Sequence, residues 1–338
     1  MRMDRRAGLL FLSRKKPAYY GTAQALSTAR EYLAGAPIGD YALFAGGTGS
    51  NNYALNTVEA YNSTLTRVTA PATLRKSSQS FSGVSTGNYA IFAGGNNLGD
   101  AYGTDLTKAT GMSYYNTVTY FNSGAVAGST AIFVGGSSAT NSSAGSKAVV
   151  AYNSSLVMTT SYSGLSNALC DAAGASVGDY ALFAGGRSGA TKYSAVIAFN
   201  SSAQKLTSPT ALSTARFSPA GASLPSYALF AGGYASTYIG EVDAYDASLV
   251  KATPTVSPLA ARMGAASAVL GDYAFFVGGD GAGRRVDIYD DTLFRYDYFL
   301  LSVAKYYAAG ASVGDYALIA GGEDANGATT VVDVFNIV

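Results

Sequence analysis

At 338 residues, with 48% hydrophobic and 13% charged side chains, the chain has ample apolar content for a large core and lacks the composition of a disordered polymer. Lys plus Arg number 22 and Asp plus Glu 21, so the net charge of +1 excludes a global field that would draw in nucleic acid or an anionic membrane surface. With no His and one Cys, Cys170, the chain cannot build a Ser-His-Asp triad, an imidazole base, a thiolate metal cluster or an intramolecular disulfide.

The chain opens on a charged segment, Arg2, Asp4, Arg5 and Arg6, followed by the apolar run Ala7 to Leu12. That run is short for a signal-peptide core and no small-residue cleavage site follows it, so residues 1–13 read as a basic N-terminal extension. No apolar stretch approaches the roughly 18 residues of a membrane span, so membrane insertion is not expected. Composition is even from end to end, and no Pro/Ser-rich linker divides the chain, so 1–338 is read as one domain. Compartment stays unread: synthesis is expected in the cytoplasm, with a virion or cell surface as a destination.

The next element in order, Arg14 to Ala25, resembles a later stretch, Gln204 to Ala211, and both read as outer strands. Then comes Gly39-Asp40-Tyr41-Ala42-Leu43-Phe44-Ala45-Gly46-Gly47, the first copy of a block whose double glycines recur at 46, 94, 135, 185, 232, 278 and 321. The spacing of 41 to 50 residues is the period of a four-stranded propeller blade. Each block is a tight turn, an apolar strand covered on both faces, and a Gly-Gly stop where a side chain would obstruct the neighbouring backbone. A second block follows in most units: Val58-Glu59-Ala60-Tyr61-Asn62, Val150-Ala151-Tyr152-Asn153, Ile197-Ala198-Phe199-Asn200, Val242-Asp243-Ala244-Tyr245-Asp246, Val286-Asp287-Ile288-Tyr289-Asp290 and Val332-Asp333-Val334-Phe335-Asn336. It reads as a strand closed by an Asx turn, with a Leu four residues past the aromatic turning the chain into the outer strand. The unit after Gly94-Gly95 reads as degenerate, with Ala101-Tyr102-Gly103-Thr104 in place of the motif. Small-residue strands such as Ala215 to Ala222 and Ala304 to Ala311 precede the Gly-Gly blocks and suit the crowded innermost position.

An apolar run, Gly-Gly, a variable loop and Val-Glu/Asp-x-Tyr-Asn/Asp, repeated around the chain from about Lys16 to Val338, resembles the kelch motif. The resemblance implies an all-β fold, a seven-bladed kelch-like β-propeller of four-stranded blades. It departs from the family in lacking the Trp usual on the outer strand, so Leu, Val and Thr are expected to fill that space. The last repeat stops after its third strand, so the N-terminal strand is expected to complete the last blade and close the ring.

Function has to come from sites. Kelch-like oxidases hold copper through His, which this chain lacks, so no metal, no cofactor and no enzymatic activity are expected. Carboxylate-only glycoside hydrolysis is the third reading, but Asp40, Asp179, Asp272 and Asp315 at the turns and Glu59, Asp243, Asp287 and Asp333 on third strands recur with the repeat, as structural residues do. The sequons at Asn62, Asn141, Asn153 and Asn200 read as turn chemistry. What breaks the repeat is the loop after each Gly-Gly, where Asn51, Asn52, Arg187, Tyr193, Tyr234, Tyr238, Arg284 and Arg285 have the character of a recognition surface. Arg30, Arg216, Arg262 and Lys305 head the innermost strands. By the resemblance they face the same axial funnel, where unpaired cations would suit a carboxylate, sulfate or sugar, with Tyr32, Phe217, Tyr306 and Tyr307 close by in sequence for stacking; salt bridges to the third-strand acids are the structural alternative. The leading expectation is a non-enzymatic module that binds a glycan or a protein through these loops, of microbial-surface or phage-tail type. Its ring is monomeric, alone or within a larger assembly, and a structural scaffold is the rival.

Overall fold

The structure, a computed structural model, describes residues 15–68, 71–113, 117, 119–140, 143–161, 164–252 and 259–338; the basic extension 1–13 and the sequon at Asn141 lie outside the described residues. No helix occurs among the described residues. Each Gly-Gly block is the second strand of a small antiparallel sheet. These strands, Tyr41–Ala45, Ala90–Gly94, Thr130–Val134, Tyr180–Ala184, Ala228–Ala231, Tyr273–Val277 and Tyr316–Ala320, define blades 1 to 7 in chain order.

The unbroken apolar runs follow from where the two faces of each strand go. In blade 1, Ala42 and Phe44 pack with Leu318, Val332 and Val334 of blade 7, whereas Leu43 and Ala45 pack with Ala90 and Phe92 of blade 2. Alternate side chains of one strand thus fill two different cores, and neither face meets water. Seven such cores alternate with the seven blades, the last joining blade 7 back to blade 1. The molecule is a seven-bladed β-propeller. Leu26, Leu74, Leu165, Leu212 and Leu301, all buried, supply aliphatic bulk to these interfaces in a chain without Trp.

Glycine is demanded where blades meet. The first Gly of most pairs, for example Gly185 and Gly232, lies so close to the next blade that a Cβ would overlap the carbonyl oxygen of Arg216 or Arg262. Nearer the axis, a Cβ on Gly174 or Gly221 would strike the carbonyl of the matching glycine one blade back.

Blade 7 is completed by Pro17–Thr22, which pairs antiparallel with Val332–Ile337, so both ends of the chain share one sheet. Four-stranded blades were expected throughout. Among the described residues, blades 3, 5, 6 and 7 have four strands, but in blades 1, 2 and 4 the outer strand is reduced to single bridges, Tyr61 to Arg67, Tyr102 to Lys108 and Phe199 to Lys205. An outer strand has one neighbour and little burial to enforce its ladder, and Gly111 or Pro209 ends it early. Blade 2 is not degenerate in space: Asn97–Tyr102 is its third strand, with Asp100 where other blades carry their acid.

Candidate functional site at the axial mouth

The four cations at the heads of the innermost strands do not line the funnel. Arg30, Arg216, Arg262 and Lys305 are at most 1% exposed, and each turns into the body of its own blade to meet the third-strand acid. Arg30 pairs with Glu59 at 2.7 Å, Arg216 with Asp243 at 2.8 Å, Lys305 with Asp333 at 3.1 Å, and Arg262 closely with Asp287. The spare donors go to backbone: Arg262 to the carbonyls of Phe276, Gly278 and Arg285, Lys305 to those of Ile319 and Val331. Burial pushes the Lys305 ammonium down to about 8 and the Arg262 guanidinium down to about 10, each against the pull of its acid. A second cation reaches the same acid from the outer strand, Arg67 on Glu59 at 2.9 Å, Lys251 on Asp243 at 2.7 Å and Arg295 on Asp287 at 2.5 Å. These charges clamp the first, third and outer strands together. The expectation of a cationic funnel is therefore corrected: the side chains are consumed inside the blades, where an unpaired charge would be far too costly.

What faces the axis is the residue two positions further along. Tyr32, Ser80, Phe121, Asp171, Ser218, Gly264 and Tyr307 occupy this place in blades 1 to 7, all in the left-handed region with φ between 50° and 61°. Each N–H donates to the carbonyl of its counterpart one blade back, from Ser80 to Tyr32 and onward until Tyr32 donates to Tyr307, at 2.6 to 3.3 Å. The result is a closed circle of seven hydrogen bonds around the axis. It encloses a mouth of about 250 Å³ that opens into an axial channel of about 650 Å³ lined by Ala, Gly, Ser and Val.

Left-handed backbone costs an L-residue roughly 1–2 kcal/mol, and Gly264 shows that glycine suits this place. Yet three blades put an aromatic there. The rings of Tyr32 and Tyr307 stack at 4.3 Å with a 20° interplanar angle, Phe121 meets Tyr32 edge-on at 6.5 Å, and the Tyr307 ring lies over Gly264, where a Cβ would collide with it. All three rings are half-buried, with open space on the mouth side.

Carboxyl groups surround this aromatic set. Burial raises the Tyr32 phenol, with Tyr307, Glu31 and Glu323 adding to it; burial also raises that of Tyr307, with Asp280, Asp171 and Glu323 adding. Glu31 lies against Glu323, and burial together with that neighbour lifts its carboxyl to about 7. Asp171 takes Arg187 Nε at 2.7 Å, and the Arg187 guanidinium lies 4.1 Å from the centroid of Phe217. The adjoining Cys170 thiol is buried, and burial pushes it up to about 12, which makes it a poor nucleophile.

Of the loop residues singled out from the sequence, Arg187, Tyr234 and Tyr238 join the mouth's outer arc. Phe217, Tyr234 and Tyr238 follow one another at 5.5 and 5.6 Å, and Asp280 accepts from the Tyr238 hydroxyl at 2.5 Å, holding it up at about 12. Tyr193 instead packs partly buried against the core between blades 3 and 4. Arg284 and Arg285 are exposed, with Arg284 Nε bonded to the Leu301 carbonyl, and Asn51 and Asn52 sit at an exposed loop tip. The structure does not bring these four to the mouth. Phe121 and Asp171 were missed, although their signal was present: aligning each repeat on its double glycine places them in register with Tyr32 and Tyr307.

No family model matches the chain, and no curated protein matches it. Among solved structures, the one described as "Structure of YjhT" superposes with a TM-score of 0.56 at 11% identity, over 94% of this chain and 99% of that one. At that identity the likeness is one of fold alone: this chain folds as a β-propeller.

Proposed function

We propose that this chain is a non-enzymatic recognition module of kelch-like type that takes a glycan or protein partner on its loop face, at the axial mouth. One observation carries the reading. Three aromatic rings are held half-exposed at backbone positions where they cost strain and where glycine suffices, so their side chains are retained for what they present. The spelling of the repeat, with Gly-Gly and the third-strand motif in register, supports the kelch-like character. The variable loops around a rigid ring support binding over chemistry.

The test is a glycan and peptide array of the intact chain beside the double variant Tyr32→Ser/Tyr307→Ser. Serine is chosen because Ser80 and Ser218 already occupy the same place in two blades, so folding is expected to persist. A hit at least tenfold weaker in the variant supports the mouth as receptor. A hit indifferent to both substitutions moves binding elsewhere, and a blank from well-folded protein transfers the assignment to a structural scaffold.

A further inference from the structure

The charge at the mouth has the opposite sign from the one its cation-rich sequence suggests. Arg30, Arg216, Arg262 and Lys305 are withdrawn into the blades, while Asp171 lines the mouth and Asp280 and Glu323 are bridged to Met263 and Tyr306, the residues beside Gly264 and Tyr307 of the axial circle. Arg187 offsets one of these carboxylates. The remainder leaves an acidic rim around three half-buried aromatic rings, whose faces are themselves sites of negative potential. We propose that the axial mouth receives a lysine or arginine side chain projected by a basic segment of a partner protein. This rests on the reading of the loop face as a recognition surface and commits it to one ligand chemistry.

Several features select a cation over the alternatives. A sulfate or carboxylate would meet the acidic rim without the four inner-strand cations, which are already paired within the blades, and Lys192 stands further out, over the Tyr234 ring. An aliphatic side chain would use the rings but leave the carboxylates unsatisfied. A long side chain with a cationic tip does both: its methylenes lie along Phe121 and the tyrosines, and its head reaches the carboxyl groups. The volume of about 250 Å³ is on the scale of one such side chain, not of a folded segment. Bulk attraction does not produce the preference, because the whole molecule carries +1. Arg187 already shows the arrangement in miniature, its guanidinium on Phe217 and its Nε on Asp171.

The experiment uses the full chain and a fluorescein-labelled 12-residue peptide alternating arginine and glycine, against the same peptide with citrulline, the neutral isostere. Fluorescence anisotropy reads affinity, and amide NMR with methylguanidinium and butylammonium ions reads location at Tyr32, Phe121, Asp171 and Tyr307. The expected result is binding of the arginine peptide about tenfold or more tighter than its citrulline counterpart, with saturable shifts at those amides. Tyr32→Ser/Tyr307→Ser and, separately, the half-buried Glu323→Gln should each weaken it at least threefold. Equal affinity for arginine and citrulline peptides overturns the cation proposal but leaves the recognition reading standing, as does an array hit on an acidic or neutral glycan that shifts the same amides. Arginine-selective binding that leaves the mouth amides unshifted and survives both variants also overturns it. Silence in every arm, with the array blank, removes both.

Discussion

The withdrawal of Arg30, Arg216, Arg262 and Lys305 has a record within the chain itself. At the place of the cation, blades 3 and 4 carry Thr119 and Leu169, and at the place of the acid they carry Val150 and Ile197. In these two blades the charges are lost together; blade 2 has Ser78 at the place of the cation but keeps its acid, Asp100, which Lys108 meets from the outer strand at 2.8 Å. That is how a buried pair behaves: one partner alone leaves an uncompensated charge, whereas an apolar pair of similar volume is tolerated. We expect Arg262→Leu alone to cost about 3–5 kcal/mol, since Asp287 loses its inner partner and four carbonyls lose a donor. The double variant Arg262→Leu/Asp287→Ile, which writes the blade 4 solution into blade 6, should recover most of that, and urea denaturation of both chains with the wild type measures it. Additive losses would mean that the pair is not a unit. The same comparison shows why the site was only half legible in the sequence. The recurrence of cation and acid could be seen, and both the paired and unpaired readings fitted it. Their joint absence from blades 3 and 4, with a different cation, Lys108, on the acid that blade 2 keeps, favours the paired reading, and it becomes visible once the repeats are aligned through Asp100 in blade 2, whose third strand follows Gly94-Gly95 with almost no loop.

Among the strands, the one from Pro17 to Thr22 has the most to hold. It is the outer strand of blade 7, and its proline sits at the first position, where a missing N–H does least harm. Tyr19 packs edge-on against Phe335 at 5.4 Å and donates its hydroxyl to Asp333 at 2.9 Å, standing where other blades bring their second cation. The repeat pattern made this closure legible, because a last repeat that stops after its third strand needs a fourth from the other end. The shrunken outer strands of blades 1, 2 and 4 were not legible: a strand covered on one side carries no strict pattern, so turn residues and edge exposure decide its length. Deleting residues 1–22 should uncover Val332–Ile337, leave Asp333 with Lys305 and the Ser302 N–H, and lower the melting temperature by at least about 5 °C, roughly 3–4 kcal/mol for a chain of this size. Deleting 1–14 is the control and should change little. A melting temperature unaltered by the longer deletion, read by circular dichroism, would show that the ring does not depend on this strand.

At the scale of the whole molecule, closure turns a row of repeats into a ring. An open array of repeats has two ends, each repeat answers only to its neighbours, and terminal units fray. Here each second glycine of a pair donates to the residue heading the next blade's inner strand, as Gly186 does to Arg216 at 2.8 Å, and Gly322 completes the circuit by donating to Arg30 at 2.8 Å. The seven axial bonds from Tyr32 to Tyr307 form a second circle inside the first. A blade that opened would break both circles, expose the cores on its two sides and strand its buried ion pair, so local opening costs nearly as much as global unfolding. Native-state hydrogen exchange tests this directly. The amides of Tyr32, Ser80, Phe121, Asp171, Ser218, Gly264 and Tyr307 should converge on one exchange free energy equal to that of global unfolding as denaturant is raised. The loop amide of Ser236, for which no backbone carbonyl acceptor is found, should exchange orders of magnitude faster. Free energies graded from blade to blade would instead describe a chain of weakly coupled units. In that case the strained aromatics at the mouth would sit on a yielding frame, and the preorganisation on which the proposed recognition rests would be lost.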